Sequence, residues 1–335
     1  MKRAVLVLGL TALLCGRAAL AASRVAPSQA AVAFIDRALA ASDLEAQGSA
    51  AFRLQIRFRV FYAPDNFLEG QLLRIWTPMG WWHEEAEMPG FQSVEVSDGR
   101  EVWRAGSLDY LPFPIFLLRQ ALNFGDSLRA AKGRRLGPPE ASAEALGTCA
   151  STLERLKRYE YCFDPTNGDL VRLVDGPWNL TFEYSHYQPF GTKRFPRVIQ
   201  VLRNGGQKLA ELRVEELEPE RDPSLNVFLP MPGSNEWPVE ERCAHLVKPS
   251  VKKMIRPEYP KAASAAGITG IVRLYAEIGA DGIPRGLWPI NSVPPVLSQA
   301  AMEAVRQWRY DPETCVTSQK TLPTVERVTV LFVSE

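Results

Sequence analysis

The chain has 335 residues, of which 46% are hydrophobic and 23% are charged, a balance that is typical of globular protein and argues against extended disorder. Its formal net charge of +1 provides no basic excess, which argues against a nucleic-acid-binding protein. A chain of this length has room for two domains, each with its own hydrophobic core.

Residues 1–21 have the features of a secretory signal peptide. Lys2 and Arg3 precede an apolar run over residues 4–16, and Ala-Leu-Ala at residues 19–21 is a suitable cleavage site. The run is shorter than the about 20 residues that a membrane-spanning helix needs. The sequence therefore predicts cleavage, export and a soluble mature chain. The alternative is an uncleaved leader that anchors the chain to the inner membrane.

An amphipathic helix is predicted over residues 28–47, with Ser28 as a candidate N-cap. Residues 51–62 (AFRLQIRFRVFY) then alternate apolar side chains with arginine and glutamine. This alternation predicts a strand with one buried and one solvated face. We interpret the row of arginines as the solvated face of a sheet and not as an anion site.

Further short strands follow, separated by turn signals such as Pro89-Gly90 and Asp98-Gly99. They are predicted at residues 70–76, 81–87, 91–96, 101–103, 158–163, 169–174, 178–186, 195–203 and 207–217. About ten strands in one antiparallel meander imply a curved open sheet or an incomplete barrel.

Three segments between these strands are predicted to have other structures. Residues 113–123 are rich in large apolar side chains and are predicted to form a covering helix from residue 115. Residues 125–147 are polar and contain glycine and proline, which predicts a loop or lid. Residues 219–237 are predicted to be a proline-rich coil that ends the domain.

Residues 30–232 resemble the LolA-type periplasmic lipoprotein carriers. The matching motifs are the early amphipathic helix, Arg74-Ile75-Trp76 before Trp82-His83-Glu84, Ser97-Asp98-Gly99 before Val102-Trp103, Cys162-Phe163-Asp164, and Phe195-Pro196-Arg197-Val198-Ile199. The resemblance implies a half-barrel over residues 28–232 whose apolar concave face would suit a lipid or lipoprotein acyl chain. The same apolar residues would also make an ordinary packed core, and this is the favoured interpretation.

Residues 256–333 predict a small α+β unit. Residues 272–278 alternate as a half-buried strand, and Asp281-Gly282 predicts a tight turn because glycine reaches positive φ without steric cost. Pro284 and Pro289 lack ladder donors, so the returning strand over residues 283–290 should lie at an edge. The remaining predicted elements are a helix over residues 296–308 and a closing strand over residues 325–333.

This unit resembles the C-terminal domain of the TonB energy-transducer family. The matching motifs are Glu258-Tyr259-Pro260-Lys261-Ala262-Ala263, Gly267, Gly270-Ile271-Val272, Ala280-Asp281-Gly282, Ala300-Ala301-Met302-Glu303-Ala304-Val305 and Trp308-Arg309-Tyr310-Asp311-Pro312. The resemblance implies a domain over residues 250–335 with a three-stranded antiparallel sheet and two helices, joined by a linker over residues 233–249. The expected fold class of the whole chain is therefore α+β, with an antiparallel open barrel or curved sheet and its covering helices before this small domain.

In the TonB family this domain binds a short extended segment of an outer-membrane transporter, the TonB box. A sheet edge has unpaired main-chain groups to which such a segment can add as a strand. The residues implied at or near the contact are Tyr259, Pro260, Val325, Arg327, Thr329, Leu331 and Val333. For Tyr259-Pro260 a plain helix start is an equally good explanation. The alternative function is a LolA-type periplasmic carrier whose C-terminal unit is only a docking module.

Four cysteines follow the leader, and an even number in an oxidising compartment favours disulfides. The simplest connectivity is Cys149–Cys162 and Cys243–Cys315, and the alternative is four free buried thiols. His83, His186 and His245 are scattered without metal-ligand spacing. Catalytic motifs are absent from the sequence, so it predicts a non-enzymatic protein without cofactor or metal.

Overall fold

The computed structural model describes residues 28–63, 65–142, 147–152, 158–203, 206–221, 223–237, 243 and 245–333. The predicted signal peptide lies outside these residues, as does part of the predicted linker. Among the helices of the described part, none combines the length and the hydrophobicity that crossing a membrane requires.

A 13-stranded antiparallel sheet forms most of the first domain. Its strands are β1 (Phe52–Ala63), β2 (Asn66–Trp76), β3 (Trp82–Met88), β4 (Phe91–Ser97), β5 (Val102–Gly106), β6 (Glu140–Ser142), β7 (Gly147–Ser151), β8 (Tyr159–Phe163), β9 (Leu170–Asp175), β10 (Leu180–Phe190), β11 (Lys193–Arg203), β12 (Lys208–Pro219) and β13 (Asn235–Trp237). The order across the sheet is β13-β5-β4-β3-β2-β1-β12-β11-β10-β9-β8-β7-β6. The sheet is open, since β13 and β6 each pair on one side only among the described strands.

Three helices cover one face of this sheet: α1 (Gln29–Ser42), α2 (Phe113–Leu122) and α3 (Phe124–Ala131). The alternation of β1 is confirmed, because Phe58 is 1% exposed in the core while Arg57 lies on the solvated face. The apolar side chains of β1 form one cluster with those of the three helices. This face of the sheet is therefore the packed interior of the domain, and we call it the inner face.

Two predictions about connecting segments are wrong. The expected loop at residues 125–147 contains most of α3, whose Phe124 and Leu128 are buried on one stripe. The expected coil at residues 219–237 contains a 3₁₀ turn, Leu225–Phe228, and the edge strand β13. Phe228 is buried against Trp81, so contacts that are distant in sequence order this proline-rich segment.

A row of buried charges crosses the inner face. Arg74, Glu84, Glu95 and Arg104 are directly paired across β2, β3, β4 and β5. Arg119 of α2 binds both carboxylates, at 2.7 Å from Glu84 and 2.8 Å from Glu95. Burial alone would raise the pKa of Glu84, but Arg119 and Arg74 outweigh it and lower the pKa to about 2. This ionic row fastens α2 to the sheet.

The second domain has a three-stranded antiparallel sheet with the order β17-β16-β21. The elements after β13 are β14 (Leu246–Val247), β15 (Ser250–Lys253), α4 (Lys261–Ala265), β16 (Gly270–Ile278), β17 (Pro284–Pro289), α5 (Pro295–Val305), β18 (Arg309–Asp311), β19 (Glu313–Cys315), β20 (Thr321–Leu322) and β21 (Thr324–Phe332). Alternate residues of β16 and β21 pack with both helices in a second core. The predicted α+β class is confirmed for the whole chain, and β17 lies at an edge as its prolines predict.

The predicted linker contributes strands to both domains. Within it, β13 pairs with β5 of the large sheet, whereas β14 pairs with β19 of the second domain. Both disulfides have the connectivity that the sequence favours. Cys149–Cys162 joins paired positions of β7 and β8, and Cys243–Cys315 ties the end of the linker to β19.

The interpretation of β16 as a half-buried strand is wrong at one end. Tyr275 and Glu277 lie on the face away from α5, yet they are 0% and 2% exposed. The first domain covers this part of the sheet, which we call the outer face of β16 and β21. Alternation in the sequence predicts which side chains of β16 face the helices of their own domain. It does not show that another domain buries the opposite face.

Candidate functional site

The strand β21 is an edge of the second domain's sheet. It pairs with β16 over its full length, from Gly270↔Phe332 to Ile278↔Thr324, with no register shift. Within the described residues no other strand pairs with it. Its second side therefore has no main-chain partner among the described strands.

The direction of the main-chain groups of β21 follows from the neighbouring strand. The carbonyl of Arg273 in β16 accepts from Ile290 N at 2.9 Å, and its N–H donates to Asn291 Oδ1 at 2.7 Å. Both partners lie on the β17 side. Because main-chain groups alternate sides along an antiparallel strand, the even-numbered residues of β16 face β21. They pair with the even-numbered residues of β21, such as Val328 and Val330.

The odd-numbered residues of β21 consequently direct both main-chain groups away from the sheet. These residues are Val325, Arg327, Thr329 and Leu331. Val328 and Val330 are buried, whereas Leu331 and Val333 are each 58% exposed. We name residues 327–333 the open edge. The predicted alternation of the closing strand is confirmed, with Val328 and Val330 buried and Arg327 and Thr329 exposed.

One end of β21 is not open. Val325 is half-buried and packs against the cluster that forms the first domain's core. Arg327 is the first exposed residue of the strand, and it lies close enough to Asp175 of the first domain to act on its carboxyl group. Burial raises the pKa of Asp175, and Arg327 opposes that rise. The first domain therefore marks the start of the open edge.

The opposite edge of the sheet is less suited to a partner strand. Pro284 and Pro289 of β17 have no N–H to donate. The carbonyl of Pro289 also accepts from Arg203 of the first domain at 2.9 Å. Of the two edge strands, only β21 has both a regular ladder with β16 and an N–H group on every residue that faces outward.

Tyr259 and Pro260, which were predicted near the contact, lie beside β21 in a structural role. The ring of Tyr259 lies 5.8 Å from that of Phe332, and its hydroxyl donates to Ile268 O at 2.7 Å. Pro260 is the N-cap of α4. The hydroxyl of Tyr259 is therefore already engaged with the segment before β16, and its ring packs against the end of β21.

Replacing Tyr259 with phenylalanine removes one half-buried hydrogen bond and keeps the ring. We expect the free energy of unfolding to fall by about 1 kcal/mol. Urea denaturation of the full chain measures this. Tyr110→Phe is the matched control, because Tyr110 is also half-buried but its hydroxyl has no hydrogen-bond partner among the described residues. Unchanged stability would contradict the structural role of this hydroxyl.

The domains meet through a cluster of aromatic rings around Tyr275. Its ring lies 5.3 Å from Phe113, 5.1 Å from Phe116 and 6.2 Å from Trp178 of the first domain. Trp288 of β17 stacks on Phe113 at 5.5 Å. This cluster buries the outer face of β16 and places the open edge beside the large sheet.

Hydrogen bonds between two side chains of β16 and the main chain of Leu111 complete this contact. Tyr275 Oη donates to Leu111 O at 2.7 Å, and Leu111 N donates to Glu277 Oε2 at 2.6 Å. Asp109 and Arg285 add an ion pair at 3.3 Å across the same boundary. We call the contact of Leu111 with Tyr275 and Glu277 of β16 the domain joint.

The inner face of the large sheet is filled by the chain's own side chains. Ile115, Leu117 and Leu118 of α2 are buried against it. The described part of this domain thus has the packed core that the sequence favours.

Comparison with known proteins identifies the second domain. Residues 255–332 match the family described as Gram-negative bacterial TonB protein C-terminal. The predicted resemblance of these residues to the TonB family is confirmed. The comparison with curated proteins finds no match for this chain.

Solved structures similar to this chain include LolA-superfamily proteins. A LolA-superfamily protein from Nitrosomonas europaea is 14% identical, with 60% of this chain and 97% of that chain covered and a TM-score of 0.39. A DUF1329-family protein from Desulfovibrio piger is 11% identical, with 61% of this chain and 98% of that chain covered and a TM-score of 0.41. With TM-scores this low, neither likeness carries an argument about what this chain does.

Proposed function

We propose that this chain is a cell-envelope protein whose TonB-type domain binds an extended segment of an outer-membrane transporter. The segment would add to the open edge as a fourth strand of the sheet, as in other recognition by strand addition. The observation that carries this proposal is the main chain of Arg327, Thr329 and Leu331, which faces away from the sheet and is left unpaired by the described strands. The TonB match over residues 255–332 supports the choice of partner.

The open edge binds mainly through main-chain hydrogen bonds, so it makes few demands on the amino-acid sequence of the partner. Each outward-facing residue offers one donor and one acceptor, and each net hydrogen bond is worth about 1 kcal/mol. Exposed apolar side chains flank these groups, with Leu331 directly paired to Ile271, which is 42% exposed. Ordering an extended peptide offsets part of this gain, so we expect affinity in the micromolar range.

In this proposal the chain acts in envelope transport as a binding adaptor of the periplasm, exported by its leader. An uncleaved leader would instead anchor it to the inner membrane as a transducer. Its role requires no catalytic step, cofactor or metal. The alternative of a LolA-type carrier for lipid or lipoprotein acyl chains has less support, because the described inner face is packed with the chain's own side chains.

Isothermal titration of the oxidised full chain with synthetic peptides tests the proposal. The peptides correspond to N-terminal segments of outer-membrane transporters, and we expect one-to-one binding in the micromolar range. A matched peptide with alternate main-chain nitrogens methylated keeps every side chain but loses its donors, so it should not bind. Equal binding of the methylated peptide, or no binding by any segment, would overturn the proposal.

A further inference from the structure

The side chain of Glu277 occupies an unusual place at the domain joint. It is 2% exposed, and one of its oxygens accepts from Leu111 N at 2.6 Å. The other oxygen, Oε1, is buried and has no hydrogen-bond partner among the described residues. A carboxylate that is buried with one oxygen unsatisfied is costly, whereas the protonated acid is much less so.

The charged groups that face Glu277 do not offset this cost. Arg104 of β5 and Arg285 of β17 are the nearby cations, and Asp109 before α2 is the nearby anion. Arg104 is bound to Glu95 at 2.5 Å, and Arg285 is bound to Asp281 at 2.7 Å. Each arginine thus already serves another carboxylate.

The titration of Glu277 agrees with this geometry. Burial raises the pKa of Glu277 to about 7, outweighing the lowering effects of the Leu111 N–H and of Arg104. If the domains separated, Glu277 would lie on a solvent-facing strand surface with an ordinary carboxyl pKa near 4.5. Its affinity for a proton therefore depends on whether the domains are docked.

We propose that the domain joint is an acid-closed latch, in which Glu277 binds a proton from solvent when the TonB-type sheet docks on the first domain and releases it when the two separate. The docked state binds more protons, so docking is strongest at low pH. Docking weakens as the pH rises from the pKa that Glu277 has in the separated state to the pKa that it has in the docked state. Opening the latch would uncover Tyr275 and Val325 and lengthen the open edge toward the first domain.

The size of the effect follows from linkage. One proton bound by only the docked state changes the docking equilibrium by at most about tenfold per pH unit. Across the window from 4.5 to about 7 the total change is on the order of a few hundred-fold. A change of this size is readily measured.

Single-molecule energy transfer between dyes at Arg100→Cys and Gln307→Cys reports docking in the full chain. Both positions are exposed, one in each domain, and the four native cysteines that follow the leader are held in disulfides. The titration runs from about pH 5 to about pH 8.5, in the urea concentration that separates half the molecules at neutral pH. We expect the docked population to fall as the pH rises.

Glu277→Gln keeps the shape and removes this titration, so most of the change in docked population with pH should disappear. Any remainder belongs to Asp175, which lies beside Arg327 and whose pKa burial also raises.

Glu326→Gln is the matched control, because burial also raises the pKa of Glu326. This residue pairs with Ala276, so its side chain lies on the opposite face of the sheet from Glu277, near Lys248 and Glu313. This variant should keep the pH response of the unmodified chain. A carbon NMR titration of the Glu277 carboxyl group needs no variant and should give a midpoint well above 4.5. A pH response as large in Glu277→Gln as in the unmodified chain, or an ordinary midpoint for Glu277, would overturn the latch.

Discussion

Replacing Thr329 with proline is expected to reduce peptide affinity by more than tenfold while the domain stays folded. The N–H of this residue faces away from β16, so the proline removes no hydrogen bond of the existing sheet. Proline is tolerated at such positions of edge strands. An added strand, however, would lose a central donor and meet the bulk of the ring. Titration of the peptide into the full chain measures the loss.

Two variants at and beside this position separate main-chain from side-chain effects. Thr329→Val keeps the N–H and a similar shape, so peptide binding should be retained. Val330→Pro removes an N–H that faces β16, in a residue that is 4% exposed, and it should destabilise the domain itself. Wild-type affinity in Thr329→Pro would show that the partner does not add to this edge.

Replacing Glu84 with alanine is expected to lower the free energy of unfolding by about 3–5 kcal/mol. Its carboxylate is 2% exposed and accepts from Arg74 Nε at 2.9 Å and from Arg119 Nη2 at 2.7 Å. Without it both guanidinium groups would remain in the interior with one anion fewer. Urea unfolding of the full chain measures the change.

The neighbouring residue Glu85 is a matched control for this variant. Its side chain is 53% exposed and binds His83 at 2.8 Å, so Glu85→Ala should change the stability by less than about 1 kcal/mol. The two variants remove the same chemical group from opposite faces of β3. A loss in Glu84→Ala as small as that in Glu85→Ala would contradict a structural role for the ionic row.

The pH dependence of the ionic row is opposite to that of the domain joint. The arginines hold the pKa of Glu84 at about 2, below its ordinary value of 4.5. Its contribution is therefore fully present above 4.5 and is lost only as the pH falls through about 2. The protonation of Glu277 changes between pH 4.5 and about 7 instead. Lowering the pH to about 4.5 therefore strengthens the domain joint and leaves the ionic row intact.

Local patterns predict much of this fold. The alternation in residues 51–62 and 272–278 gives the correct strands and their inner faces, and the prolines of β17 identify an edge. The exposed side of β21 also follows from alternation alone. These features are set by the period of a strand and by the missing N–H of proline, which any window of sequence shows.

Contacts between distant segments could not be predicted in this way. The strand β13 forms only because its residues reach β5, more than a hundred positions earlier in the chain. Arg74 and Glu84 form a buried ion pair across β2 and β3, but the sequence favours a solvated strand edge for Glu84, and the third partner, Arg119, comes from a helix. The burial of Tyr275 and Glu277 depends on the docking of a whole domain. The sequence therefore predicts the open edge but not the joint that positions it.

Hydrogen exchange of the β21 amides, followed residue by residue by NMR, tests the strand-addition account most directly. In the free chain the amides of Arg327, Thr329 and Leu331 should exchange rapidly, and those of Val328 and Val330 slowly. Saturating transporter peptide should protect the odd-numbered amides and leave the even-numbered ones unchanged. Odd-numbered amides that are already protected in the free chain, or that stay unprotected with peptide bound, would contradict it.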